Sequence, residues 1–510
     1  MASSTSKAIV KDFQRWHLQP STCDQFSKLP DSIIIHILSF LPTFDAMYCA
    51  GFVSKRFASL KLSLPSLVFL DKAIPSCQGH NLCRYINDIL VFQDHDNLRR
   101  CCFHLYYNGY CPNDHDLDTW IKLTLHRKKV RELEILFVRS SSDCRFYCLP
   151  RFLFKNEILT SLSLSRVGFN NVVKEMHIHW KSLKSLSMTH ITDLDDDMLA
   201  KILVGCPILE FLELKSCRGI KKVDIVSKSL KELVIYDCVY SNNRNQRGKI
   251  LRVSAPSLRV LVISGSNRFN KCTFENLSSL VEATMFFESF WHDGEFYDSY
   301  GDDDNGEDSY EYDNVINFFG SVQHVKKLTL LGTWNLHVQS TKPWAYSFSN
   351  CKSLTLDINL KKWELPALAI MLQSCPELES LTMDMTTPQW DKMDCECHKF
   401  DFEGKNFWQS DPSYVNSSLL GHLKTVKIVG AEPLRGGELV VEFMQFILKH
   451  AKVLERLSIC IDEKAGAEHE EESLFQLSIF HMLLSFPRSS ILAVIEVISS
   501  QLDKRLSSSC

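Results

Sequence analysis

No apolar run in the sequence reaches the about 18 residues that span a bilayer. The longest candidate, Ile491 to Ile498, carries Glu496 inside it. Met1 to Pro20 mixes polar and charged residues with isolated apolar ones and lacks the apolar core of a secretory signal. Both absences predict a protein of the cytoplasm or nucleus with no membrane partner. Charge excess is missing too. The 57 Lys and Arg stand against 61 Asp and Glu, a net charge of -4, so nothing marks a face for nucleic acid. Short basic pieces, Arg127-Lys128-Lys129, Lys221-Lys222 and Lys326-Lys327, read as solvated ends of elements. The 19 cysteines are odd in number and follow no disulfide framework, so they read as reduced thiols. In a non-secreted chain the sequons at Asn276 and Asn416 have no consequence.

Catalytic signatures are also absent. There is no Gly-x-Ser-x-Gly elbow, no phosphate loop ending in Gly-Lys-Ser/Thr, no His-Glu-x-x-His and no dinucleotide fingerprint. No cofactor is implied, and the sequence reads as non-enzymatic. Cys395-Glu-Cys397-His398 and Cys101-Cys102-x-His104 each offer metal-type ligands, but neither has a second half at zinc-finger or ribbon spacing. No metal site is assigned to them.

What the chain does contain is a repeat. A Leu-x-x-Leu-x-Leu pattern returns at Val130 to Ile135, Leu159 to Leu164, Leu183 to Met188, Leu209 to Leu214, Leu230 to Ile235 and Leu258 to Ile263. Later copies are Val325 to Leu330, Leu378 to Met383, Leu423 to Ile428 and Leu454 to Ile459. Most neighbouring copies lie 21 to 29 residues apart, the period of leucine-rich repeats. The last two apolar positions alternate as a strand requires, and the first packs inward. One unit cannot bury its apolar side, whereas stacked units share a core with short parallel strands along a concave face. Asp195 to Val204 and Leu365 to Ser374 read as helices that stop at Cys206-Pro207 and Cys375-Pro376. Cys206, Cys217, Cys238, Cys375 and Cys460 fall at recurring repeat positions that suit a small buried side chain. Ser163, Lys184, Glu213, Lys231, Thr329 and Thr382 vary in charge, against one uniform binding stripe.

Before the repeats, Leu29, Ile33, Ile37, Leu38 and Leu41 recur at helical spacing between Pro30 and Pro42. Thr43 and Asp45 open a second helix, and Ser54 caps a third that carries Phe57 and Leu60 and ends before Pro65. Three helices in roughly 45 residues bury too little apolar surface to stand alone comfortably. Leu82, Tyr85, Ile86, Ile89 and Leu90 mark one more amphipathic helix. On periodicity alone the three helices could simply cap the repeats.

The anchors Leu29-Pro30, Leu41-Pro42, Asp45-Ala46 and Val53-Ser54-Lys55-Arg56 resemble the F-box, the adaptor-binding module of cullin-RING ubiquitin ligases. Phe57 and Lys61 stand where the plant pattern usually has Trp. The Cys-Pro-x-Leu-Glu form is the kind seen in plant F-box proteins with leucine-rich repeats. The stretch from Leu423-Lys-Thr-Val-Lys-Ile428 through the helix Glu438 to Lys449, followed by Phe486-Pro487-Arg488, resembles the FBD region that closes many of them. On that reading the chain is α/β. Residues 1–23 form a disordered N-terminus, 24–70 the three-helix F-box, 71–418 irregular repeats, 419–489 an FBD-like repeat and cap, and 490–510 a loose tail.

The resemblance implies a non-catalytic subunit of a ubiquitin ligase. A Skp-family adaptor, and through it cullin and RING subunits, would bind through Leu29, Pro30, Ile33, Ile37, Leu38, Leu41, Pro42, Val53 and Phe57, while the repeats hold a client protein. Two alternatives stay open, a repeat scaffold without a ubiquitin role and a small-molecule co-receptor. Trp291 to Asp313 carries ten acidic residues and no Lys or Arg, which reads as a self-repelling insertion between repeats. Thr386 to Ser418 also departs from repeat spacing.

Overall fold

The computed structural model describes residues 28–70, 80–93, 98–107, 113–139, 146–169, 176–238, 250–264, 269, 271–287, 317–332, 338, 344–386, 407–410, 420–431, 437–461 and 481–499. The acidic insertion at 291–313, the Cys395 cluster and the first 23 residues lie outside them. The chain separates into two compact units, Met1–Cys144 and Arg145–Cys510. Among the described residues no helix is long and apolar enough to cross a membrane.

The first unit opens with helices α1 (Asp31–Ser39), α2 (Thr43–Val53) and α3 (Lys55–Leu60). Strand β1 (Ser66–Leu70), helix α4 (His80–Phe92), strand β2 (Arg100–Tyr107), helix α5 (Asp114–Lys122) and strand β3 (Glu132–Arg139) follow. The three strands are parallel, with Leu67, Cys101 and Leu133 in one row and Phe69, Phe103 and Ile135 in the next, all buried. Against this layer α4 sets Leu82, Tyr85, Ile86, Ile89 and Leu90, the residues its periodicity selects. Asn113 caps α5 by accepting from the Asp116 N–H, and α5 buries Leu117, Trp120 and Ile121. Phe69, Phe103 and Trp120 stack in series at 5.4 and 5.9 Å, and the Trp120 indole donates to Asn87 at 2.7 Å.

One basic residue reverses its expectation. Lys128 is buried, and its ammonium donates to the Gln93 carbonyl. Gln93 in turn donates to the Leu64 carbonyl at 2.8 Å. These polar contacts satisfy backbone groups where two connections turn inward, and a buried amine is tolerated only with such partners.

The second unit begins with β4 (Tyr147–Cys148), β5 (Ser161–Ser165), β6 (Val167–Gly168) and β7 (Ser185–Thr189). Helix α6 (Asp196–Gly205) leads to β8 (Phe211–Lys215), β9 (Lys222–Val226), β10 (Glu232–Tyr236), β11 (Ile250–Ser254), β12 (Val260–Ser264), β13 (Lys271–Glu275) and β14 (Glu282–Phe287). Then come β15 (Lys327–Gly332), β16 (Ser353–Asp357), helix α7 (Leu365–Ser374), β17 (Ser380–Asp384) and the short α8 (Phe407–Ser410). Strand β18 (Thr425–Ala431), helix α9 (Gly437–His450), β19 (Arg456–Ile461) and β20 (Val494–Ser499) close it. The main sheet of this unit runs β5, β7, β8, β10, β12, β14 to β20 in order, with these strands paired in parallel. Strands β9, β11 and β13 form a second, three-stranded parallel sheet.

The same backbone solution recurs at each repeat. The carbonyl of the residue immediately before a strand takes two N–H groups from the start of the next: Glu210 and Phe211 donate to the Lys184 carbonyl, and Lys231 and Glu232 donate to the Glu210 carbonyl. At the strand ends Arg166, His190, Ser216 and Asp237 adopt positive φ, from 50° to 56°, and each donates its N–H to the last carbonyl of the following strand. The cysteines that follow two of these turns are more than small hydrophobes. The Cys217 thiol donates to the Met188 carbonyl at 3.3 Å and the Cys238 thiol to the Leu214 carbonyl at 3.0 Å. They occupy the Asn/Cys place of the repeat pattern and knit neighbouring turns together.

All ten repeats read from the sequence become strands. Five further strands, β1, β2, β14, β16 and β20, use the same template with one or two leucines replaced, as in Leu98-Arg-Arg-Cys101-Cys-Phe103 and Leu280-Val-Glu-Ala283-Thr-Met285. Strand β20 also corrects the loose tail expected from residue 490, because Leu457 and Ile459 of β19 pair with Ile495 and Val497. Helix α9 buries Val440, Phe443, Met444, Phe446, Ile447 and Leu448, and Trp408 stacks on Phe446 at 4.8 Å.

Gly205 marks the tightest approach of α6 to its surroundings. A Cβ there would lie 2.6 Å from the Ile178 carbonyl oxygen and 2.8 Å from its Cβ. Gly205→Ala should therefore destabilise the second unit by about 1–3 kcal/mol through overpacking, read as a lower urea midpoint with an unchanged slope.

Candidate adaptor-docking face

Helix α1 starts cleanly because Pro30 fixes its own φ at -59° and its carbonyl accepts from the Ile33 and Ile34 N–H groups. One stripe of the helix, Ile34 and Leu38, is buried against the rest of the unit. The other, Ile33 and Ile37, continued by Leu41 just past the end of the helix, steps by four residues and is partly exposed. Leu38 thus leaves the docking set read from the sequence and joins the core, while Leu29 is half-buried at the helix entrance. Pro30 and Pro42 are exposed, Val53 is exposed at the end of α2, and Phe57 is half-buried in α3.

Two aromatics that the periodicity argument passed over are the most exposed large apolar groups of the helical head. Ile33 and Ile37 are 43% and 37% exposed, whereas Phe40 and Phe52 reach 75% and 87%. Phe40 lies edge-on to His36 at 4.7 Å. Their signal in the sequence was present: an aromatic just before Leu41-Pro42 and another just before Val53-Ser54, both at helix ends where no core stripe continues. The head therefore presents apolar side chains at two places, along α1 and where α2 hands over to α3. Exposed apolar groups in such density mark a partner surface.

Polar bonds hold these helices in place without using the apolar groups. The Arg56 guanidinium donates to the Leu29 carbonyl at 2.6 Å and to the Asp31 carboxylate at 2.8 Å, tying α3 to the start of α1. Ser54 caps α3 by accepting from the Phe57 N–H at 3.2 Å. Buried Thr43 accepts from the Val68 N–H at 2.7 Å and anchors α2 to β1. Lys61 has a structural task, since its ammonium donates to the Met47 carbonyl of α2.

In the second unit the outward middle row of the sheet carries Thr284, Thr329, Thr355 and Thr382 in consecutive register, preceded by Val234 and Val262. Salt bridges zip the strand entrances: Glu210 with Lys184 and Lys231, and Glu379 with Lys352 and Lys424. The two ammoniums beside it lower the Glu379 carboxyl to about 2. This face has no single charge sign along its length, as the varied residues imply.

Three family models match the chain in order: an F-box domain over residues 26–69, the LRR repeats of the FBD-associated F-box protein At5g56370 over 117–288, and an FBD over 411–459. Whole-chain relatives come from Arabidopsis thaliana. The chain is similar to F-box/FBD/LRR-repeat protein At2g26030, 24% identical over 90% of this chain and 97% of that one. It is also similar to putative F-box/LRR-repeat protein At5g02930, 26% identical over 89% and 91%. F-box/LRR-repeat protein At3g03360 is 28% identical over 71% of this chain and 70% of its own length. The chain thus carries an F-box, leucine-rich repeats and an FBD in that order, and over most of its length it is similar to plant F-box/leucine-rich-repeat proteins.

Proposed function

We propose that the chain is the substrate-recognition subunit of a Skp-cullin-F-box type ubiquitin ligase. The helical head docks a Skp-family adaptor through Leu29, Pro30, Ile33, Ile37, Leu41, Pro42, Val53 and Phe57, with Phe40 and Phe52 added to the set. Cullin and RING subunits join through the adaptor, in the cytoplasm or nucleus, and the repeats hold a client protein. The chain supplies no nucleophile. It acts by proximity, raising the effective concentration of a client lysine near a thioester carried by another subunit.

The observation that carries this reading is the double stripe of α1. A helix that only capped the repeats would need Ile34 and Leu38 alone; the second stripe, Ile33, Ile37 and Leu41, is left for a partner. A standard interface buries about 1,600 Å² in total, to which this stripe and the two phenylalanines contribute the apolar centre. Leu29→Ala with Pro30→Ala in the full chain should abolish co-purification of a Skp-family adaptor while the far-UV spectrum and the melting of the repeats persist. Undiminished capture would count against this docking mode.

A further inference from the structure

Strand pairing in the first unit brings together three metal-type ligands that the sequence keeps apart. Along β2 the side chains alternate: Cys101, Phe103 and Leu105 enter the core, while Arg100, Cys102 and His104 take the opposite face. Cys102 is in register with Glu134 of β3, so the carboxylate sits beside both Cys102 and His104. His104 Nε2 lies 3.0 Å from Glu134 Oε1, and the Cys102 thiol donates to Glu134 Oε2 at 3.4 Å. The three ligand atoms all lie within 4.8 Å of one another.

Small side-chain rotations bring the three atoms from within 4.8 Å of one another to the spacing of one metal shell. Tetrahedral bonds of about 2.3 Å to sulfur and about 2.0 Å to nitrogen and oxygen place neighbouring ligand atoms about 3.3–3.6 Å apart. We propose that Cys102, His104 and Glu134 form a binding site for a zinc-class divalent cation, with the fourth position open. The thiolate and imidazole select a borderline metal over calcium or magnesium, which require oxygen donors. Val68 and Leu70 flank Cys102 and His104 from β1, and Leu136 pairs with His104 from β3, so two apolar walls border the ligands. Arg100 donates to Glu134 Oε2 at 3.2 Å and holds the carboxylate oxygen that faces away from His104, orienting the other toward the cation. Binding converts the Cys102 thiol to a thiolate and releases its one proton to solvent, while His104 binds as neutral imidazole and Glu134 as carboxylate. None of the three ligands belongs to the apolar residues of α1, and the site's existence does not depend on adaptor binding.

Cobalt(II) tests it in the full chain, stripped of metal and kept reduced. One equivalent of cobalt should produce a thiolate-to-cobalt band in the near ultraviolet with the visible bands of tetrahedral coordination, and one equivalent of zinc should displace it. Cys102→Ser and His104→Ala should each weaken binding on the order of 100-fold or abolish the bands. Glu134→Gln should weaken it as well, and Cys148→Ser, an exposed cysteine of the other unit, should leave it unchanged. His104→Ala and Glu134→Gln decide the matter if Cys102→Ser does not fold. Absence of the bands at one equivalent, or bands that survive His104→Ala and Glu134→Gln, would overturn the assignment.

Discussion

Aspartate at both Ile33 and Ile37 should reduce affinity for a Skp-family adaptor by at least about 100-fold, roughly 3 kcal/mol, and shift the melting temperature of the chain by less than about 2 °C. Both side chains are partly exposed on α1, so the folded chain loses less by exchanging them than by truncating buried Leu38. In the complex each change removes apolar area and forces a carboxylate into a dry contact. Leu38→Ala supplies the contrast. Leu38 is 3% exposed, and its truncation should cost about 2–5 kcal/mol of local stability, so that capture falls together with the folding of the head. Binding assays paired with thermal melts separate the two outcomes. A head that only capped the repeats would show neither affinity to lose nor tolerance at Ile33 and Ile37.

Glu364→Gln should stabilise the second unit above neutrality and flatten its dependence on pH. Glu364 is fully buried just before α7, where one carboxylate oxygen accepts from the Asn359 N–H at 3.1 Å and the Lys361 N–H at 2.8 Å. Burial above all, with a smaller push from nearby Asp357, outweighs those two N–H groups and the Lys361 charge and raises its pKa from 4.5 to about 7. The native state therefore holds this proton more tightly than the unfolded chain. The contribution is full below the unfolded value of 4.5, is lost as pH rises toward the folded value of about 7, and changes no further beyond it. The loss amounts to about 3 kcal/mol for such a shift. Denaturation midpoints of the wild type should fall between pH 5 and 8, while those of Glu364→Gln stay level and exceed the wild type at pH 8. Equal slopes for the two proteins would show that Glu364 is ionised in the native state throughout.

The repeats were legible because a strand buried through two alternating leucines leaves a periodic trace that no other arrangement of those residues needs. The trace fades where the core accepts another small or apolar group: Cys101, Ala283 and Ile495 fill leucine places, and their strands escaped the pattern. The F-box was legible from its Leu-Pro and Val-Ser-Lys-Arg anchors, yet the division of α1 was not. Residues 33 and 37 and residues 34 and 38 are all Ile or Leu, so spacing alone could not say which stripe is the core. Packing against the rest of the unit makes that choice. Phe40 and Phe52 were missed because they lie at helix ends, where periodicity carries no information.

Long-range register explains the rest. Cys102 and His104 are two residues apart and visible as a pair, but Glu134 reaches them only through the pairing of β2 with β3. Lys128 looked like a solvated charge because the Gln93 carbonyl that receives it comes from an earlier connection. Glu364 carries no mark in Lys361-Lys362-Trp363-Glu364; its burial follows from how the turn before α7 folds back on Asn359.

On the proposed reading, the exposed apolar residues of α1 bind an adaptor. Titration of the purified full chain with a purified Skp-family adaptor, followed by calorimetry, tests it most directly. The expected result is a saturable complex of one adaptor per chain with a Kd of about 1 μM or tighter, abolished by aspartate at Ile33 and Ile37. A folded wild-type chain that shows no heat of binding at adaptor concentrations of about 100 μM, or binding equally tight in the aspartate variant, would contradict it.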